Sequence, residues 1–253
     1  MTPTTFIIIC MGIGVVAFLY SSVGHAGASG YIAVMSLAEL EPQFIKPTAL
    51  LLNVLVATIA TWQFARQGHF CWRLFWPFAL FAIPMAFVGG YLNLSTMIFK
   101  IVLGGVLWFS AFRFLIRPSD DWVAELPKLS VALPAGAGLG FLAGLTGTGG
   151  GIFLTPMLLI MRWATAKQAA AVSALFILFN SIAGLIGNLI STQSVAHLAE
   201  LKDFAFPFAI AVVCGGMLGS YWGSHKFLHT TIKRLLATVL LIAGTKLIMT
   251  AVE

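Results

Sequence analysis

The chain has 253 residues, of which 60% are hydrophobic and only 9% charged. Soluble domains carry about a quarter charged residues, so this composition excludes water as the main solvent and predicts an integral membrane protein. The net charge of +6 comes from scattered basic residues that form no stripe, so nucleic acid is not indicated as a partner. The three cysteines, Cys10, Cys71 and Cys214, have neither disulfide nor metal-site spacing, and no cofactor is indicated.

The first apolar segment, residues 6–20, has some features of a signal peptide, because small residues follow it. Residues 1–5, however, carry no positive side chain, and the same pattern recurs inside the chain. We therefore interpret this segment as part of the mature structure.

Six stretches are long and apolar enough to cross a hydrocarbon core of about 30 Å. They are residues 44–65, 74–92, 97–116, 166–190, 204–222 and 231–250. The remaining apolar material forms two segments, 6–40 and 129–161, each with two short pieces around a glycine-rich break. Each segment is predicted to be a hairpin of two half-helices, which makes the chain an all-α integral membrane protein.

The two halves of the chain match one another. Residues 77–91 align with 207–221 without a gap, the start of the first break aligns with the second, and Asn53 falls opposite Asn180. This pattern predicts two homologous repeats, each a broken-helix hairpin plus three transmembrane helices. Repeat 1 covers residues 1–117, a linker covers 118–127, and repeat 2 covers 128–253.

Basic residues predict how the repeats are oriented, because short cytoplasmic loops are enriched in Lys and Arg. If each half crosses the membrane an odd number of times, ten of the 14 Lys and Arg residues fall on one side. The other side then keeps Lys46, Lys100, Lys202 and Lys246. An even number of crossings divides the residues equally, so inverted repeats are favoured, with both breaks meeting near the midplane as in inverted-repeat transporters.

A helix broken within lipid exposes backbone N–H and C=O groups, so each break must face a cavity or a partner. The positive end of the following helix suits an anion. The first break contributes Ser22, Gly24, His25, Gly27 and Ser29, and the second contributes Thr146, Gly147, Thr148, Gly149, Gly150 and Gly151. The serines and threonines are expected to be donors, while His25 is either structural or a proton carrier.

Two polar residues lie deep in predicted spans, Asn53 and Asn180, and each is either a structural hydrogen-bonding group or a contact for the substrate. Three glycines spaced by four residues, Gly136, Gly140 and Gly144, fit close helix packing instead. On that interpretation Gly140→Ala should cost about 1 kcal/mol of stability or less.

No predicted span has a central Asp or Glu, which argues against a cation site, so an anion is the simpler substrate. The glycine-rich stretch lacks the Lys-[Ser/Thr] ending of a P-loop, so ATP hydrolysis has no support. There is no paired carboxylate, metal-ligand spacing or nucleophile–base set to indicate an enzyme.

The stretch Gly144-Leu-Thr-Gly-Thr-Gly-Gly-Gly-Ile-Phe-Leu-Thr-Pro156, followed by Ala169-Ala-Ala-Val-Ser173 and Phe179-Asn-Ser-Ile-Ala-Gly184, resembles the TauE/SafE sulfite exporter family. The resemblance extends over both halves, is closer in the second, and adds Ser173 to the candidate substrate-binding residues. It implies a secondary transporter of sulfite, sulfoacetate or a related organosulfonate, in the plasma membrane and, in a bacterium, the inner membrane. An anion channel, a permease for another oxyanion or carboxylate, and a homo-oligomer stay open.

Overall fold

The computed structural model describes residues 3–22, 25–92, 95–115, 125–191, 198–225 and 230–252. These residues form ten α-helices and no strand. In chain order the helices are α1 (Pro3–Ser21), α2 (Ala28–Leu37), α3 (Pro42–Arg66), α4 (Trp72–Tyr91), α5 (Thr96–Leu115), α6 (Leu129–Thr146), α7 (Gly151–Ile160), α8 (Ala166–Ile190), α9 (Leu198–His225) and α10 (Thr230–Val252). The predicted all-α class is confirmed, and helices satisfy their own backbone groups as lipid requires.

Five helical stretches are long and apolar enough to cross a membrane, judged by length and composition. They are Gln43–Arg66, Trp72–Tyr91, Leu129–Thr146, Ala166–Ile190 and Ala205–Trp222. Four of the five lie at predicted spans. The other two predicted spans, 97–116 and 231–250, are helical, but their apolar stretches shorten to Met97–Phe109 and Leu240–Met249.

The helices on the two sides of each break have unequal lengths. α1 and α6 have 19 and 18 residues, whereas α2 and α7 have 10 each. At 1.5 Å per residue the first arms are about 27–29 Å long and the second about 15 Å. Segment 129–161 does contain two helices around the break, but α6 is longer than expected for a half-helix, since by length and composition it could cross a membrane by itself.

A seam of glycines joins α6 to α4. Three glycines, each one turn after the last, face backbone atoms of α4 so closely that a Cβ would collide with them. The pairs are Gly136 with Phe78, Gly140 with Ala82, and Gly144 with Ala86. Residue numbers rise together on both helices, so α4 and α6 run parallel. The predicted packing role is confirmed. The contacts lead us to expect a larger cost for Gly140→Ala than the sequence predicted, because a backbone carbonyl cannot move aside as a flexible side chain can.

A second seam joins α1 to α9 in the same way. Gly215 faces the backbone of Gly14, and Gly219 faces the backbone of Phe18, so these helices also run parallel. Each seam joins one helix from residues 1–117 to one from residues 128–253.

The centre of the molecule is formed by α3 and α8, which pack against each other. They are the most buried of the membrane-spanning candidates, with 61% and 67% of their apolar windows inside the protein. They run antiparallel, since Asn53 contacts Ser181 and Leu50 approaches Gly184. The short arms pack on this pair, α2 on α3 and α7 on α8, so both breaks lie beside the central helices.

Candidate functional site

The second break is a glycine turn between α6 and α7. Gly147, Gly149 and Gly150 have φ angles of 76°, 72° and 81°. These left-handed conformations are strained for residues with a Cβ, so the glycines permit a reversal that other residues would resist. Every residue from Thr146 to Gly151 is buried.

The start of α7 has backbone donors without acceptors. The N–H groups of Phe153 and Leu154 both donate to the carbonyl of Gly150, at 3.1 Å each. Gly151 and Ile152 precede them, where a helix supplies no acceptor, and the N-cap residue Gly150 has no side chain that could cap this helix. Ile152 is only 5% exposed. The positive end of α7 therefore presents two buried N–H groups to the break.

Asn53 of α3 reaches the tip of this break. Its Nδ2 donates to the carbonyl of Thr148 at 3.2 Å and to Oγ of Ser181 at 3.3 Å. A Cβ on Gly149 would lie only 2.6 Å from that nitrogen. The side chain is fully buried, and its Oδ1 has no hydrogen-bond partner among the residues that the structure describes. The structure thus brings Asn53 together with the second break, a contact that the sequence did not predict.

The hydroxyl hydrogens of Thr146 and Thr148 are both used in hydrogen bonds within the protein. Thr146 Oγ1 donates to the carbonyl of Leu142 at 2.6 Å, and the Thr148 hydroxyl oxygen lies 2.9 Å from Thr146 Oγ1. Since the Thr146 hydrogen is used, Thr148 donates to Thr146 and its oxygen is left as an acceptor. This differs from the expectation that both hydroxyls are donors for a ligand.

Two other predicted residues of this half lie on α8. Ser173 accepts a hydrogen bond of 2.7 Å from the Thr155 hydroxyl and so ties α8 to α7 one turn beyond the break. Asn180 is fully buried, and neither its Nδ2 nor its Oδ1 has a partner within the described residues. Its neighbour Ser181, which sequence reasoning missed, contacts Asn53.

The first break is organised by tyrosines. Ser29 donates to the hydroxyl of Tyr20 at 3.0 Å, and the hydroxyl of Tyr31 donates to the carbonyl of Ala26. Gly27, with φ of 100°, caps α2, and a Cβ there would lie 2.9 Å from the Tyr31 ring. Both tyrosines are buried.

Two other residues predicted for the first break, Ser22 and His25, form hydrogen bonds to residues close to them in the chain. Ser22 donates to the carbonyl of Leu19 at 2.7 Å. The backbone N–H of His25 donates to the carbonyl of Tyr20 at 3.0 Å, and the residue is buried. Gly24 lies outside the described residues. The hydrogen bonds of Ser22 and Ser29 thus stay within their own half of the chain.

Lys46 lies at the second break, although sequence reasoning placed it among loop residues. It belongs to α3 and is only 7% exposed. Its ammonium donates to the carbonyls of Gly89, Gly90 and Leu92 at 3.2, 2.9 and 3.1 Å, where the negative end of α4 favours a cation. A Cβ on Gly147 would lie 3.2 Å from its Cγ. A charge inside an apolar span was the available signal.

The described residues contain no group of His, Cys, Asp and Glu that could hold a metal ion, and Cys10, Cys71 and Cys214 are free thiols. Apart from the Lys46 ammonium, which is bonded to carbonyls at the end of α4, the polar groups named at the second break are neutral amides, hydroxyls and helix N–H groups. Such groups can bind a small polar or anionic molecule without forming a covalent bond.

The chain is similar to known proteins over most of its length. The chain matches the family model described as sulfite exporter TauE/SafE over residues 8–247. It is 40% identical over 239 residues to a probable membrane transporter protein of Sinorhizobium fredii, y4hK, covering 92% of this chain and 94% of that protein. It is 23% identical over 209 residues to a probable membrane transporter protein of Methanocaldococcus jannaschii, MJ0441, covering 80% and 78%.

No solved structure matches the chain. The family and both relatives are described as exporters or membrane transporters rather than as enzymes, and the family match extends over both halves. Together with the apolar membrane-spanning helices, this makes the chain a multi-pass membrane transporter of the TauE/SafE sulfite exporter family.

Proposed function

We propose that the protein is a secondary transporter of a small sulfur-containing anion, such as sulfite, sulfoacetate or a related organosulfonate, and that the second break binds this anion. The observation that carries the proposal is the pair of buried N–H groups of Gly151 and Ile152 at the positive end of α7, beside the Asn53 amide. Burying such donors without a partner costs about 1–3 kcal/mol each, so a ligand that accepts from them is stabilised.

An anion fits the charge of this break better than a cation. The buried residues around it include no Asp or Glu within the described part of the chain, while α7 contributes its positive dipole end. The glycines also leave the backbone open to close approach, which a branched side chain would prevent. The name of the matched family supports sulfite as the first anion to test.

We further propose that the two halves are inverted repeats. The support is that α1 and α6, at equivalent positions, run in opposite directions. α6 is parallel to α4, and α4 is antiparallel to α3, because Lys46 near the start of α3 reaches the end of α4. α1 is antiparallel to α2, as the pairs Gly12–Val34 and Gly30–Val16 require. Since a short turn reverses the chain from α2 into α3, α1 runs with α3 and against α6.

The basic residues then orient the protein in the plasma membrane, which is the inner membrane if the source is a bacterium. Without the buried Lys46, ten of the remaining 13 Lys and Arg residues (14 minus one) lie on the side of linker 118–127, which is therefore placed in the cytoplasm. Of this linker, residues 125–127 are described. The test introduces single cysteines into a cysteine-free variant and treats intact cells with an impermeant thiol reagent. Cysteines in the linker should stay unlabelled, whereas cysteines at the termini should react. The reverse labelling would contradict this orientation.

Ligand-induced stabilisation tests the substrate class. Purified protein is heated with sulfite, sulfate, thiosulfate, sulfoacetate or simple carboxylates, because a ligand at about 100 times its Kd adds about 2.7 kcal/mol to the folded state. We expect the sulfur anions to raise the apparent Tm. Stabilisation by carboxylates alone would redirect the substrate assignment, and no stabilisation by any anion would contradict the proposal.

Flux in proteoliposomes tests the transport mode. A carrier should show saturable uptake of the stabilising anion and accelerated exchange when the vesicles are loaded with unlabelled anion. Flux that neither saturates nor shows this counterflow would indicate an anion channel.

A further inference from the structure

We propose that the second break selects a singly charged oxyanion that still carries an O–H group, and that Asn53 accepts the hydrogen bond from that group. This inference rests on the proposed function, since it concerns the same anion site. Beyond the proposed function, it specifies the protonation state of the ligand and the residue that recognises this state.

The orientation of the Asn53 amide is fixed by its neighbour. The carbonyl of Thr148, 3.2 Å away, can only accept a hydrogen bond, so the amide nitrogen must face it. The amide oxygen of Asn53 consequently points away from the Thr148 carbonyl. That oxygen is buried in a fully buried side chain and has no partner among the described residues.

The break therefore offers both donors and acceptors. The N–H groups of Gly151 and Ile152 are the donors, while Oδ1 of Asn53 and Oγ1 of Thr148 are acceptors. A fully deprotonated oxyanion satisfies the donors but brings a negative oxygen against the acceptors. An oxyanion with one remaining O–H group satisfies both sets. Asn180, with both amide atoms unpartnered, can act either way and so does not discriminate.

The charge of the site also favours a monoanion. Lys46 is the only Lys, Arg, Asp or Glu among the buried residues of the described chain. Its three donors are already taken by carbonyls at the end of α4. A second negative charge on the ligand would therefore be buried beside helix N–H groups without a cation of its own, which is costly at low dielectric.

An isosteric pair of probes isolates the O–H group at one fixed, mildly acidic pH. Singly charged methylphosphonate and methanesulfonate have nearly the same tetrahedral shape and the same charge. They differ in the central atom, phosphorus or sulfur, and in one proton on oxygen, and the asparagine variants below separate these two differences. We expect purified wild-type protein to bind singly charged methylphosphonate about tenfold more tightly, as one additional buried hydrogen bond implies. Calorimetry or displacement of labelled sulfite measures both affinities.

Two asparagine variants assign the effect. Asn53→Ser should reduce the ratio of the two affinities to about one, because the amide oxygen is replaced by a hydroxyl on a shorter side chain, which does not extend as far as Oδ1. Asn188→Ser is the matched control, since Asn188 is also buried on a central helix with an unpartnered Oδ1, but its Nδ2 faces the carbonyl of Gly90 at 3.5 Å. That variant should keep the wild-type ratio.

Each outcome bears on a different claim. Equal wild-type affinities, or tighter binding of methanesulfonate, would overturn the selection for an O–H group and leave the anion site standing. Binding of neither probe and no binding of sulfite would overturn the proposed function itself. A tenfold ratio that survives in Asn53→Ser would remove Asn53 from the selection. The wild-type comparison decides the inference even if Asn53→Ser does not fold.

Discussion

The two helix breaks occupy equivalent places in the two halves but are filled differently. In the first, the buried hydroxyls of Tyr20 and Tyr31 bond Ser29 and the carbonyl of Ala26. In the second, glycines replace the large side chains, and the surrounding groups come from α3 and α8. The hydrogen bonds of these first-break side chains thus stay within their own half. The second break instead contacts residues distant in the chain, and Asn53 Oδ1 there has no partner among the described residues.

This difference shows that repeated segments need not keep repeated roles. A broken helix has the same problem in both halves, namely backbone groups without partners. Local side chains solve much of it in the first half, so that break contributes to structure. In the second half the groups left unsatisfied are available to a ligand. The experiments below test whether this division between structure and ligand binding holds.

The largest effect is expected for the scaffold next to the second break. Gly140→Ala places a Cβ against the backbone of Ala82, so it should destabilise the protein by about 3 kcal/mol or more and lower the apparent Tm by about 6–12 °C. Gly138 on the same helix has open space around it, and Gly138→Ala should leave the Tm within about 2 °C. Similar melting of the two variants would contradict the seam. The difference in apparent Tm between the two variants also shows how large an effect lost helix packing has on stability.

The next effect separates the two breaks directly. Gly149→Ala and Gly27→Ala both place a Cβ on a residue with positive φ, 72° and 100°, at a cost of about 1–2 kcal/mol. Only the first also pushes on the site, because its Cβ would lie 2.6 Å from Asn53 Nδ2. We expect Gly149→Ala to weaken sulfite binding by more than about tenfold and Gly27→Ala to retain wild-type affinity. Equal losses of affinity would remove the distinction between the breaks.

A smaller effect is expected from the residues at matching positions of the two breaks, Thr148 and His25. Thr148→Val removes an acceptor oxygen at nearly constant volume and should weaken binding of an anion that carries an O–H group by about 0.5–1 kcal/mol, as one neutral hydrogen bond implies. His25→Gln should change the affinity less than about twofold, because its break is assigned to structure. If protons are coupled through His25, this variant also loses pH-dependent accumulation while keeping counterflow. Affinity measured by calorimetry, beside flux at two pH values, checks both.

The smallest effect is expected for a tyrosine hydroxyl of the first break. Tyr20→Phe removes the oxygen that accepts from Ser29, so it should cost about 1 kcal/mol and lower the apparent Tm by about 2–4 °C. Transport by the folded variant should equal that of the wild type. A large loss of sulfite affinity without a change in Tm would place the first break at the ligand.

Much of this architecture was visible in the sequence. Long apolar stretches predicted the spanning helices, clustered glycines predicted the second break, and an amide within an apolar span marked Asn53. The helix lengths at the breaks were less accessible, because apolar composition does not reveal where a long helix stops. The partners of Lys46 lie more than 40 residues away in the chain, and neither that contact nor the one between Asn53 and Ser181 has a local signature.

The two glycine seams constrain how the protein can move. α6 of the second half packs with close backbone contacts against α4 of the first, and α1 of the first half packs in the same way against α9 of the second. A transport cycle that rocked one half of the sequence against the other would have to open both seams, where backbones already touch. If the protein works by alternating access, we expect each moving body to contain helices from both halves and the hinges to lie outside the seams.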